Sequence, residues 1–164
     1  MELVLRPAER DDAEAILAIY NREVLHETST FDLVPRTLAG QRAWLVARSG
    51  ALSAIVAVDP HGTVVGFGSL SLYKERAAYR TTVEDSVYVE RHRSGAGIGT
   101  ALLEHLVELA RVSGFHAVMA RIEASSTASR ALHARCGFDL VGVEREVGRK
   151  FNRWLDVAVM QRLL

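Results

Sequence analysis

Cysteine, proline and lysine are scarce in this chain. Of 164 residues one is cysteine, Cys136, three are proline and two, Lys74 and Lys150, are lysine. A lone cysteine cannot close an internal disulfide, which points to a reducing, cytoplasmic setting. Neither sign of charge is in excess, since twenty Lys and Arg balance twenty Asp and Glu. That balance argues against nucleic acid as the main partner. Unbroken apolar stretches, such as Ile55 to Val58, fall far short of the ~20 residues that span a membrane. Met1-Glu2-Leu3-Val4-Leu5-Arg6 lacks the basic-then-apolar layout of a secretion signal, so no membrane partner is expected. Internal repeats and low-complexity linkers are missing too. The six histidines are dispersed and unpaired with cysteine, so no metal is expected.

What is present is the composition of one folded unit. Apolar residues make up 49% and charged residues 24%, near the globular average. The length suits a single domain over residues 1–164, large enough to bury a core unaided. Leu3 to Arg6 reads as a first strand ended by Pro7. Asp11-Asp12 is placed to cap a helix carrying Ile16, Leu17, Ile19 and Tyr20 at helical spacing. A polar loop, His26 to Pro35, leads to a weaker helix, Thr37 to Arg48. Ala51 to Val58 and Val64 to Leu72 flank Asp59-Pro60-His61-Gly62 and predict a hairpin. A charged loop, Tyr73 to Thr82, precedes a strand over Val83 to Val89. Gly97 to Val112 is a helix stopped by Gly114, Ala117 to Ile122 a strand, and Ser126 to Cys136 a helix stopped by Gly137. Phe138 to Val147 and Trp154 to Met160 are the last strands. Strands interleaved with helices predict an α/β (α+β) fold, a mixed sheet with helices on both faces.

The sharpest local signal is Arg91-His92-Arg93-Ser94-Gly95-Ala96-Gly97-Ile98-Gly99-Thr100, which leaves a strand and opens a helix. Unpaired amides and a positive helix end make such a turn an anion site, and glycines let a phosphate approach closely. An ordinary glycine-rich connection is the plainer reading. A Walker loop would need a lysine here, and a dinucleotide fold would place its glycines after an early strand. This turn follows four strands, so the diphosphate of coenzyme A fits better. One strand earlier, alternation puts Glu84, Ser86 and Tyr88 on one face and Val83, Asp85, Val87 and Val89 on the other. A carboxylate in so apolar a strand is costly unless used or paired. Read from the residues alone, Glu84 is either a base whose pKa burial raises or the partner of an arginine. Cys136, beside the helix-stopping Gly137, reads as core and not as a nucleophile.

Three segments together resemble a known family: Thr82-Val83-Glu84-Asp85-Ser86-Val87-Tyr88-Val89, then Gly95-Ala96-Gly97-Ile98-Gly99, then Leu132-His133 through Gly137-Phe138 with the tail Val147-Gly148-Arg149-Lys150-Phe151 and Arg153-Trp154-Leu155-Asp156. The chain resembles the GNAT superfamily of N-acetyltransferases, and within it the phosphinothricin and methionine sulfoximine acetyltransferase group. The resemblance implies the GNAT fold, a twisted and mostly antiparallel sheet of about seven strands, with acetyl-CoA as cosubstrate. It implies that Gly95, Ala96, Gly97, Ile98, Gly99 and Thr100 wrap the pyrophosphate. Val87, Tyr88 and Val89 would bind the pantetheine arm through their backbone, and Ser126 and His133 would touch the cofactor. Relatives usually have Arg or Gln where this chain has Ser94, and Asn where it has Ser126; a weaker grip on acetyl-CoA is expected from both changes. A homodimer is also implied.

The resemblance makes Glu84 the base that deprotonates the substrate ammonium, with a strand amide near Val87 stabilising the oxyanion. His133 stands where many relatives have a tyrosine acid; it is a proton donor, a cofactor contact or a packed helix histidine. Lys74, Glu75, Arg76 and Arg80, edged by Tyr73 and Tyr79, precede Glu84 and suggest a cationic rim for a carboxylate or phosphinate. The group usually shows an Arg-Pro-aromatic run at Lys74-Glu75-Arg76. Asp85 and Ser86 complete the expected substrate side, and Thr28, Ser29, Thr30 and Phe31 match a loop that approaches it. Lys150, Phe151, Arg153 and Trp154 reach the site or support a dimer. The expected activity is transfer of acetyl from acetyl-CoA to the α-amine of a small amino acid analogue, by direct attack in a ternary complex. Acetylation of another amine (a polyamine, an aminoglycoside, a protein N-terminus) and a non-catalytic acyl-CoA-binding module are the alternatives.

Overall fold

The computed structural model describes residues 2–164. Seven strands and four longer helices follow in the expected order: β1 Val4–Pro7, α1 Ala13–His26, α2 Leu38–Val46, β2 Ile55–Val58, β3 Val64–Leu72, β4 Thr82–Val89, α3 Ile98–Val112, β5 Ala117–Glu123, α4 Thr127–Arg135, β6 Asp139–Lys150 and β7 Arg153–Leu163. The strands form one sheet in the order β1-β2-β3-β4-β5-β7-β6. All neighbours run antiparallel except β4 and β5.

Period-two alternation sends each strand's side chains to two faces. Leu70, Val83, Val118, Ala120 and Met160 pack with Leu102, Leu103 and Leu106 of α3. On the opposite face Val56 and Phe67 pack with Ile16, Tyr20 and Val24 of α1. The close approach of α3 depends on two bare positions in β3. A Cβ on Gly68 would lie 3.0 Å from Leu106 Cδ1, and one on Gly66 would lie 3.0 Å from Leu102 Cδ1.

Three local expectations change. The first helix is not capped by the Asp12 side chain. That carboxylate instead accepts the Glu9 N–H at 2.7 Å and a bidentate pair from Arg6 at 2.7 and 3.0 Å. These bonds hold it below the ordinary carboxylate range, the Arg6 contact being the largest cause. Residues 50–52 form a single 3-10 turn, not strand, so β2 starts at Ile55. The last two strands run on through the tail motif and meet at a tight turn where Phe151 and Asn152 both take positive φ.

The feature that positions the site is a fork. β4 pairs with β3 from Val83 to Val89 without a register shift, so the alternation of β4 runs unbroken. Its parallel pairing with β5 stops at Glu84↔Met119. Beyond Glu84 the two strands splay, and the sheet opens.

Candidate active site

The fork turns strand edge into binding surface. Tyr73 N–H bonds Thr82 O and Glu90 N–H bonds Val65 O across β3 and β4. In an antiparallel ladder that phase turns even-numbered residues of β4 toward β3 and odd-numbered ones away. The main-chain groups of Val87 and Val89 therefore face the opening, where β5 no longer pairs with them. Tyr88 corrects the expectation of a run of three. Its peptide groups serve β3, and its ring stacks on Phe67 at 5.3 Å.

A groove of about 460 Å³ continues from this edge. Val87, Val89, Gly95, Gly97, Ile98, Gly99 and Thr100 form one wall, and Ser126, Ser129 and Leu132 of the α4 region the other. Gly95 and Gly97 have φ near +83° and +81°, which costs glycine little and other residues more. Nothing lies within 4 Å of a Cβ built on either. The first backbone bond of α3 is Ala101 N–H to Gly97 O, at 3.0 Å. The amides of Ile98, Gly99 and Thr100 thus have no intrahelical acceptor and point at the groove. Ala96 differs from its expected role, because its N–H closes the turn onto Arg93 O at 3.3 Å. Arg91 is tied to Glu23 at 2.8 and 2.6 Å, and Arg93 to Asp59 at 3.0 Å. Open turn, unpaired amides and a free strand edge fit a diphosphate carried on an extended arm, as in acetyl-CoA.

At the apex of the fork a smaller cavity of about 90 Å³ passes between the sheet's two faces. Asp85, Val87, Ala120 and His133 line it on the α3–α4 side; Ser29, Ser86, Tyr88, Arg121 and Glu123 line it on the other. Glu84 is the last paired residue beside it, on the face opposite α3. Its side chain is 30% exposed, with Arg121 Nε 3.9 Å from Oε1. That oxygen is buried without a hydrogen-bond partner. Burial pushes the Glu84 carboxyl above its ordinary value, Arg121 pulls it down in part, and the charge of Asp85 adds to the rise. Both readings of Glu84 are therefore present: a raised carboxyl at the opening, and an arginine beside it too distant for a hydrogen bond.

Asp85 does not face the amine side. It lies opposite Leu70 in the register, and its Oδ2 accepts from His133 Nε2 at 3.0 Å. His133 Nδ1 meets Ser129 O at 2.8 Å. A carbonyl only accepts, so Nδ1 carries a hydrogen, and Nε2 faces a carboxylate. Burial alone would lower the His133 pKa, but the Asp85 bond and charge, with the Ser129 carbonyl, outweigh it and raise it. With both ring nitrogens engaged, His133 is a packed member of a buried pair at the cavity wall. It is not aimed as a lone acid.

The cationic rim is displaced. Lys74, Glu75, Arg76 and Arg80 are exposed on the β3–β4 connection, and none of them lines either cavity. Lys74 sits over the Tyr73 and Tyr79 rings at 4.9 and 5.1 Å. Ser86 and Ser126 do line the site. The loop after α1 reaches it through Ser29, whose hydroxyl donates to Glu23 at 2.5 Å. Lys150, buried, donates to Thr30 O at 2.8 Å and locks the tail onto that loop. A Cβ on Gly148 would overlap the Phe31 ring. Cys136 belongs to the core, and burial raises its thiol pKa. No cluster of metal-binding side chains occurs among the described residues.

Sequence reasoning missed Arg121 and Glu123; Ser29 lies in the loop matched to the substrate side. The signal for Arg121 was the one that flagged Glu84: a charged side chain in an otherwise apolar stretch of strand.

Comparisons with known proteins agree with this geometry. Residues 5–159 match the family model of the acetyltransferase (GNAT) domain. The chain is 41% identical over 162 residues to an L-methionine sulfoximine/L-methionine sulfone acetyltransferase of Pseudomonas paraeruginosa, covering 98% of this chain and 94% of that protein. It is 37% identical to a phosphinothricin N-acetyltransferase of Streptomyces coelicolor, covering 99% and 97%. Among solved structures, a phosphinothricin acetyltransferase of Sinorhizobium meliloti in complex with acetyl-CoA superposes with a TM-score of 0.96 at 38% identity, covering 100% of this chain and 89% of that one.

Proposed function

The chain belongs to the GNAT acetyltransferases, an acetyl-CoA-dependent N-acetyltransferase by that membership, and we propose that it acetylates the α-amine of a small amino acid analogue. Phosphinothricin and methionine sulfoximine or sulfone are the class of acceptor. The observation that carries the reading is the fork that opens the sheet immediately after Glu84. The cavity at its apex is lined from both faces of the sheet, and Glu84, which does not itself line it, stands 3.9 Å from Arg121, which does.

Bound acetyl-CoA supplies an activated thioester. The amides of Ile98, Gly99 and Thr100 would hold its diphosphate, and the edge of Val87 and Val89 would align its arm. Glu84, ionised, takes a proton from the substrate ammonium and frees the amine to attack. The Val87 amide, turned into the opening, is the preorganised donor for charge developing on the acyl oxygen. As the nitrogen bonds to the acyl carbon the carbon–sulfur bond breaks, and the coenzyme A thiolate leaves as the free thiol, taking up through solvent the proton that the new amide nitrogen loses; no acyl-enzyme is needed, and Cys136 stays in the core.

A thiol-release assay tests the acceptor class. With acetyl-CoA in excess, phosphinothricin, methionine sulfoximine and methionine sulfone are expected to give kcat/KM values well above those of spermidine or an aminoglycoside. Turnover of the polycations alone would overturn the acceptor assignment.

The proposal includes pairing of two copies. Edge strand β6 exposes Leu140, Val141, Val143 and Val147, with Phe151 and Trp154 beside them, an uncovered apolar edge of the kind proteins usually cover. Sedimentation velocity at micromolar concentration is expected to give twice the 18.0 kDa chain mass; a species of one chain mass would refute the dimer.

A further inference from the structure

The rim residues expected to hold a substrate carboxylate lie outside both cavities, whereas an arginine of β5 lines the one at the apex. Arg121 projects from β5 into the lining of the apex cavity. One end of its guanidinium is fixed, with Nη2 2.6 Å from Glu144 Oε1 on β6. The other end points at the base, Nε standing 3.9 Å from Glu84 Oε1. That gap is too long for a hydrogen bond, and the facing Glu84 oxygen is buried with no partner. A carboxylate and a guanidinium thus stand side by side without a hydrogen bond between them, the guanidinium lining the apex cavity and the carboxylate next to it. A zwitterionic α-amino acid carries the complementary pair, an ammonium and a carboxylate on one carbon. Its ammonium on Glu84 leaves its carboxylate beside the guanidinium donors that Glu144 does not use. Arginine is suited to this task by its planar fork of five N–H groups.

We infer that Arg121 is the specificity-determining residue that anchors the substrate's α-carboxylate beside Glu84. The inference rests on the proposed acceptor class and adds to it the residue that selects an amino acid over a plain amine. Glu144 holds the guanidinium in place, and so is a positioning residue.

The test compares methionine sulfone with its decarboxylated counterpart in wild type and in Arg121→Gln. Removing the cation also removes its pull on Glu84, which slows both substrates alike and cancels in their ratio. A hydrogen-bonded charge contact implies that the kcat/KM ratio of amino acid to amine falls about ten- to a hundredfold in the variant. Arg121→Lys, which keeps the charge without the fork, is expected to recover part of that ratio. An unchanged ratio, with methionine sulfone still a substrate of the wild type, would overturn the anchor alone. Wild type that turned over the amine and not methionine sulfone would overturn the acceptor class and the anchor with it. Circular dichroism of each variant separates a folding defect from a loss of selectivity.

Discussion

Asp85→Asn is expected to destabilise the protein by about 3 kcal/mol at pH 5.5 and by clearly less at pH 8.5. The Asp85 and His133 side chains are 2% and 5% exposed, so solvent screening discounts little of this. Burial works against the charged imidazole, and the Asp85 bond and charge overcome it, leaving the folded pKa raised. A raised pKa contributes stability that is fully present below the unfolded histidine value of about 6.5 and is lost as pH rises through the folded one. Without the carboxylate, burial dominates and the folded pKa falls below 6.5. The variant then loses stability as pH drops, where the wild type keeps it. Above pH 5 the unfolded aspartate is already ionised, so the window between pH 5.5 and 8.5 reports mainly on His133. Urea midpoints at the two pH values measure the difference. A penalty of the same size at both would mean that the imidazole is neutral in the fold and that the pair is an ordinary hydrogen bond.

That buried pair also marks where the sequence was legible and where it was not. The face assignment within β4 follows from period two, and the register keeps it: Val83, Asp85, Val87 and Val89 on the α3 side, Glu84, Ser86 and Tyr88 on the other. The glycine turn was legible because a positive φ at Gly95 and Gly97 is a local property of residue type. The helix over Gly97 to Val112 was legible from its apolar stripe, which α3 buries through Leu102, Leu103, Leu106, Val107 and Ala110.

Partners distant in the chain were not legible. Asp85 and His133 are 48 positions apart, and no local pattern says that one occupies the other's hydrogen bond. Likewise nothing in Lys74-Glu75-Arg76 tells that the loop stays exposed while Arg121, on a strand reached through α3, takes the cavity. The tail motif left open whether Lys150 reaches the site or supports a dimer; its bond to Thr30 O spans 120 positions. Charge and periodicity name candidates, but the topology that brings β5 beside β4 decides which of them meet.

Glu84→Gln is expected to lower kcat by about a hundred- to ten-thousandfold, the usual worth of a positioned general base. The substitution keeps size and polarity while removing the proton acceptor. Burial raises the Glu84 pKa from 4.5, so wild-type kcat/KM is expected to fall as pH drops through a value above that of an exposed glutamate. That acidic limb disappears in the variant. Glu84 lies across the sheet from the groove and lines no part of it, so acetyl-CoA binding does not depend on its charge.

The decisive measurement pairs the two readouts on one variant: acetyl-CoA affinity by calorimetry and single-turnover acetylation of methionine sulfone, in wild type and Glu84→Gln. A fork that delivers the acyl group from one face to an amine activated on the other predicts affinity retained and transfer nearly abolished. Transfer at the wild-type rate, or affinity and transfer lost together, would contradict it.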